Sequence, residues 1–188
     1  INTGKAEAGA PTFGQELQCF NVGSWVHSLA FLPSAQTIVA TLHSSQVMIL
    51  SSESGSSDWA PTFTLSTGIL PFRKIAALND EAFVVGGFDC YPVKVQKSSG
   101  NSWKIVSEGK QQKAAKAELS ETEKARQMFQ NEATFGQKAA IELPKTRHDN
   151  TITGLLKAPD SLKPYAFLSV ASDGRVECWK DGDLEAAK

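Results

Sequence analysis

The chain has 188 residues, 41% of them apolar and 21% charged, and its 19 basic and 20 acidic side chains leave a net charge of −1. That composition suffices for a sizeable core, and the near-neutral balance sets up no global field that would draw the molecule onto nucleic acid or anionic lipid. No apolar run has membrane-spanning length and no signal-type segment is present, so the expectation is a soluble cytosolic domain with no membrane insertion.

In chain order, the first patterned stretch runs from Trp25 to Ser51: an apolar strand, a turn at Pro33, a second apolar strand, a tight turn at His43-Ser44-Ser45, and a third strand of alternating residues. The same plan recurs from Ile69 to Gln96, with its first turn at Asn79-Asp80, and from Asn150 to Lys180, with its first turn at Pro159-Asp160. The position just before the third strand falls at Ser44, Asp89 and Asp173, intervals of 45 and 84 residues. Several strands per unit at a spacing of about 40 to 45 residues mark a β-propeller of WD repeats, and the longer second interval holds an insertion of about 40 residues. The fold class is therefore all-β: a partial WD-repeat propeller, about half of a seven-bladed ring, with a helical insertion between two blades. The chain divides into residues 1–108, an entering strand plus two repeats; 109–147, the insertion; and 148–188, the last blade and tail. Because it opens on Ile1 and holds three units, it is read as the later part of a longer protein, or as one with its early blades missing.

Within the insertion, Lys, Gln, Ala and Glu replace the β-branched residues found on either side. Ser120-Glu121-Thr122-Glu123 has the pattern of a capping box, and Ala125, Met128 and Phe129 follow at helical spacing. A helix this short is not stable alone in water. Its Met-Phe face must be buried, either on its own propeller or in a groove on a partner, with Met128 and Phe129 as anchors and Ala125 allowing close approach. The polar flanks favour the partner.

The third unit ends in SDGRVECW, where Asp173-Gly174 favours a tight hairpin and Val176 and Cys178 alternate with Glu177 and Trp179. Asp173 precedes Trp179 by six residues, Ser169 precedes Asp173 by four, and His148 lies 25 residues upstream of Asp173. This spacing is similar to the buried hydrogen-bonded tetrad of a WD repeat. The same Ser169, His148 and Asp173 could be taken for a hydrolase triad, but Ser169 lies inside the apolar strand YAFLSVA and not on an exposed, strained turn. No catalytic, cofactor-binding or metal-binding residues are assigned, and the chain is expected not to be an enzyme. Cys19, Cys90 and Cys178 read as small buried hydrophobes, since no two have metal or redox spacing. His27 and His43 show no ligand spacing, and Lys94, Lys97, Lys104, Lys110, Lys113 and Lys116 read as a solvated basic face.

WVHSLAF at Trp25 to Phe31, FVVGGFDCYPVKV at Phe83 to Val95, ARQMFQN at Ala125 to Asn131 and the closing SDGRVECW together resemble the WD-repeat subunit, of about forty kilodaltons, of the actin-related protein 2/3 complex. The runs GFDCYPV and FQN are more specific than a generic WD signature, and the likeness extends from about Pro11 to Trp179, the C-terminal half of the family's propeller. At His43-Ser44-Ser45 the chain departs from the acidic turn residue that a repeat usually carries. The resemblance implies a non-enzymatic subunit of the assembly that nucleates branched actin filaments in the cytoplasm. Its partners would be the other subunits, the actin filament and nucleation-promoting factors, with nucleotide bound by the actin-related subunits. It also implies that the insertion helix reaches the mother filament through Ala125, Arg126, Met128, Phe129 and Gln130. The alternative is a generic WD-repeat adaptor presenting substrates to another complex.

Overall fold

The computed structural model describes residues 13–53, 56, 58–111 and 145–187. The first sheet is an antiparallel meander of β1 (Val26–Phe31), β2 (Thr37–Leu42), β3 (Gln46–Ser52) and β4 (Trp59–Ser66). The second contains β5 (Phe72–Asn79), β6 (Ala82–Gly87), β7 (Pro92–Lys97) and β8 (Trp103–Glu108), again in sequential antiparallel order. A two-stranded ribbon of β9 (Lys110–Gln111) and β10 (Lys145–Thr146) follows, and then a third sheet of β11 (Ile152–Lys157), β12 (Phe167–Ala171) and β13 (Val176–Trp179). These three sheets are blades of a WD-type propeller; the three strands read for each repeat fall where the apolar runs and turn residues place them, and β4 and β8 add a fourth strand to the first two blades beyond the units read from the sequence.

Alternation within β6 shows how the blades hold together. All six of its residues are buried, because neighbouring blades cover both faces. Phe83 and Val85 point into a core with Leu32, Val39, Val47 and Ile49 of the first blade, whereas Ala82 and Val84 point into a second core with Phe167 and Trp179 of the third. A central strand buried on both sides reads as an unbroken apolar run, as AFVVGG does.

Two features, the entering strand and the cysteines, differ from the sequence expectations, and the tail adds one that they did not address. No entering strand forms among residues 13–25. Gly14 and Gly23 there take positive φ, and the strand-like pairing comes from one side chain, the Gln18 amide, which donates to the Trp59 carbonyl at 2.8 Å and accepts from its N–H at 2.9 Å. The tail after Trp179 does not simply trail away: a short 3-10 turn at Asp181–Asp183 leads into β14 (Glu185–Ala186), which pairs antiparallel with β8 of the preceding blade. Nor are the cysteines buried hydrophobes. Cys19 and Cys178 are exposed and Cys90 is half-buried. Cys178 follows the alternation that turns Trp179 inward, so apolar neighbours in the sequence do not bring it into the core.

Because the tail crosses to β8, β13 ends its sheet among the described residues. The register sets Leu156 beside Leu168 and Cys178, and Gly154 beside Val170 and Val176, on the face turned away from the second blade. Leu156 and Val176 are 66% and 63% exposed. This apolar face has the pattern that the second blade buries against its neighbours.

Candidate functional site

The structure brings His148, Ser169, Asp173 and Trp179 together. Ser169 and Trp179 share the inward face of paired strands β12 and β13, Asp173 is supplied by the turn between them, and His148 by the segment entering β11. The Trp179 indole N–H donates to Ser169 Oγ at 2.7 Å, Ser169 Oγ lies 2.7 Å from His148 Nε2, and His148 Nδ1 lies 3.1 Å from Asp173 Oδ2. One tautomer satisfies every group: Nδ1–H donates to the carboxylate, and Nε2 accepts the serine proton while the serine oxygen accepts from the indole. His148 and Ser169 are both essentially inaccessible.

Asp173 also accepts from the backbone N–H of Asp149 at 2.8 Å and of Arg175 at 2.9 Å. Burial pushes its pKa upward, but these amides and the imidazole outweigh burial and hold the carboxyl below its ordinary value. Gly174 supplies the left-handed residue of the turn at φ 79°, whereas Asp173 does not adopt a positive φ. In the first two blades the corresponding residues are Ser45 and Cys90, at φ 60° and 64°. One left-handed residue thus closes each turn.

Although Ser169, His148 and Asp173 are hydrogen-bonded in the order of a hydrolase triad, the arrangement has no route to substrate. Ser169 is 1% exposed, and the indole N–H occupies its oxygen. A nucleophile requires an open approach and donors for an oxyanion. What this linkage can do is satisfy buried polar groups and fix the blade.

Ala125, Arg126, Met128, Phe129 and Gln130, together with the helix expected to carry them, lie outside the described residues. Both roots of the insertion are described. Gly109 N–H donates to the Pro92 carbonyl at 2.8 Å, and Lys110 pairs with Glu108 at 2.5 Å while its ammonium lies 4.8 Å from the Tyr91 ring centroid. Burial works against the Lys110 charge, but its hydrogen bonds to Glu108 and Tyr91 prevail and raise its pKa. At the other root, the Arg147 guanidinium sits 4.3 Å from the Trp179 ring centroid and pairs with Asp183 at 3.1 Å.

Sequence spacing missed a second cluster. His27 Nε2 is 3.0 Å from His43 Nδ1, His43 lies against Trp25, and His27 meets Phe88 of the next blade edge-on. Burial, followed by His43 and Arg73, lowers the His27 pKa. The basic stretch is also partly engaged, since Lys94 pairs with Asp181 at 2.8 Å. Among the described residues there is no group of three or more ligating side chains that could hold a metal ion, and no helix is long and apolar enough to cross a membrane.

The blades and the hydrogen-bonded tetrad define the class as a WD-repeat propeller. No family model matches the chain. Among curated proteins it is similar to actin-related protein 2/3 complex subunits 1A-A and 1A-B of Xenopus laevis, each 25% identical over 179 residues, which is 93% of this chain and 46% of the relative. It is likewise 25% identical over 182 residues to actin-related protein 2/3 complex subunit 1 of Schizosaccharomyces pombe, covering 84% of this chain and 45% of that protein. The chain spans about half the length of these relatives, and the resemblance read from its motifs is borne out.

Proposed function

We propose that this chain belongs to a non-catalytic propeller subunit of an actin-related protein 2/3-type complex, acting on branched actin in the cytoplasm. The carrying observation is the similarity to subunit 1 of that complex over most of the chain. The blades form the platform that packs against the other subunits, and the protein helps receive nucleation-promoting factors. The insertion, residues 109–147, contacts the mother filament through Ala125, Arg126, Met128, Phe129 and Gln130. Two features support this part of the reading: the Ser120 to Glu123 capping pattern before an apolar pair, and the described roots of the insertion, which leave the blades at the junction of the second and third.

The test changes Met128 and Phe129 together to Ala in the reconstituted complex and measures branch density on actin beside a thermal melt. Loss of two anchors costs more than about 2 kcal/mol, so affinity for the filament falls about thirtyfold or more while assembly and melting temperature hold. Normal branching would refute the docking role. A lowered melting temperature with normal branching would place the pair on the chain's own propeller.

A further inference from the structure

A ribbon of two residue pairs is too short to hold a direction by itself. Its orientation must come from what its roots touch. Both roots rest on one side chain, the Trp179 indole. A Cβ at Gly109 would lie 2.7 Å from Pro92 Cδ and 3.1 Å from Trp179 Cη2, so the first root passes with its backbone wedged between these rings. On the second root, Thr146 Oγ1 donates to the His148 carbonyl, and the Arg147 guanidinium lies over the same indole.

Arg147 is fixed on its other sides as well. Its Nη2 is 3.1 Å from Asp183, its Nη1 is 3.9 Å from Glu177, and Nη1 donates to the Cys178 carbonyl at 3.3 Å. Its own carbonyl accepts from Arg175 Nη1 at 3.0 Å. Asp183 is held in turn: its carboxylate accepts the Lys180 N–H at 3.0 Å, and β14 follows two residues later on β8. A planar guanidinium that stacks and forms directed hydrogen bonds fixes orientation in a way a lysine ammonium does not.

We propose that Arg147 is a positioning residue: clamped by Trp179 and by Asp183 of the C-terminal turn, it sets the direction in which the insertion leaves the propeller. Filament docking then depends on the tail as well as on the insertion's own side chains. This inference rests on the reading that the insertion docks on actin. Freeing the root spreads the insertion over many directions and lowers its effective concentration at the filament without removing a contact.

The experiment uses the reconstituted complex and reads the filament concentration giving half-maximal branching, together with assembly and a thermal melt. Arg147→Ala and Asp183→Asn are each expected to raise that concentration about tenfold, with Arg147→Lys also impaired. Inserting two glycines after Gln111, which leaves every clamp residue intact, should do the same. Combined with Met128→Ala and Phe129→Ala, Arg147→Ala should add no further loss, because a helix that no longer docks gains nothing from direction. If Arg147→Ala and the glycine insertion branch normally while the Met128 and Phe129 changes impair branching, the positioning role is wrong and the docking reading stands. A further tenfold loss in the combined variant would mean that Arg147 acts through blade integrity and not through direction. Normal branching by the Met128 and Phe129 variant would remove the docking reading itself.

Discussion

Each member of the tetrad has a definite job at the residue scale, which makes the cost of losing it calculable. Trp179→Ala removes a fully buried aromatic that seals the junction of the second and third blades, and should cost about 3 to 5 kcal/mol. Asp173→Ala leaves His148 and two backbone N–H groups without their acceptor and should cost about 1 to 3 kcal/mol. Denaturant unfolding of the intact protein checks both, and wild-type stability in either variant would contradict the tetrad's structural role. The carboxyl of Asp173 also sets a pH dependence. Its folded pKa lies below the ordinary value of 3.8, so its contribution is complete above that value and is lost as pH falls through the lower folded pKa. Denaturation midpoints measured below pH 4 should therefore fall more steeply for the native protein than for Asp173→Asn. The four tetrad residues were legible because a WD repeat places them at characteristic spacings along one blade. The His27–His43 contact and the Arg147 clamp were not legible, because each joins residues whose proximity depends on how strands, turns and blades come together and not on any spacing in the sequence. Ser45, at φ 60°, offers a smaller test: Ser45→Gly removes the left-handed penalty and should raise stability by up to about 1 kcal/mol in the same unfolding assay.

Individual elements differ in how much of their fate is written locally. The repeat strands carry their own signal, since apolar runs and alternation state which faces are buried. By contrast, β14 has two paired residues and no apolar alternation of its own, and it is delivered to the edge of β8 by the Asp181–Asp183 turn, held by Lys94 and Arg147, and by Leu184, which is buried in the second core. Removing residues 181–188 should uncover that end of the edge, with faster amide hydrogen exchange around 106–108 and little change in β5–β6. Unchanged exchange in β8 would show that β14 does not protect it. The tail's crossing was beyond sequence reasoning for this reason: an edge strand is chosen by the partner it meets, and its own propensity says little.

For the molecule as a whole, the third blade presents Leu156, Val170 and Val176 on a face equivalent to those buried between the other blades, with β13 the outermost strand of its sheet among the described residues. A closed ring covers such faces, so residues 1–188 expressed alone should aggregate or unfold without a sharp transition. A soluble monomer that melts cooperatively would contradict this expectation. Fold class was readable at this scale because a repeat multiplies weak local signals, and the similarity to a subunit about twice as long agrees with the motif reading. For residues 112–144 the sequence offers a change of composition, a capping pattern and the ARQMFQN resemblance, and a role in docking depends on a partner's surface that no pattern within this chain states. The most direct test of the central claim is to purify the protein carrying this chain from its own cells under native conditions and identify what accompanies it. The account predicts a stable multi-subunit assembly containing two actin-related proteins. Recovery without them, alone or with the components of a ubiquitin ligase or a chromatin enzyme, would contradict it.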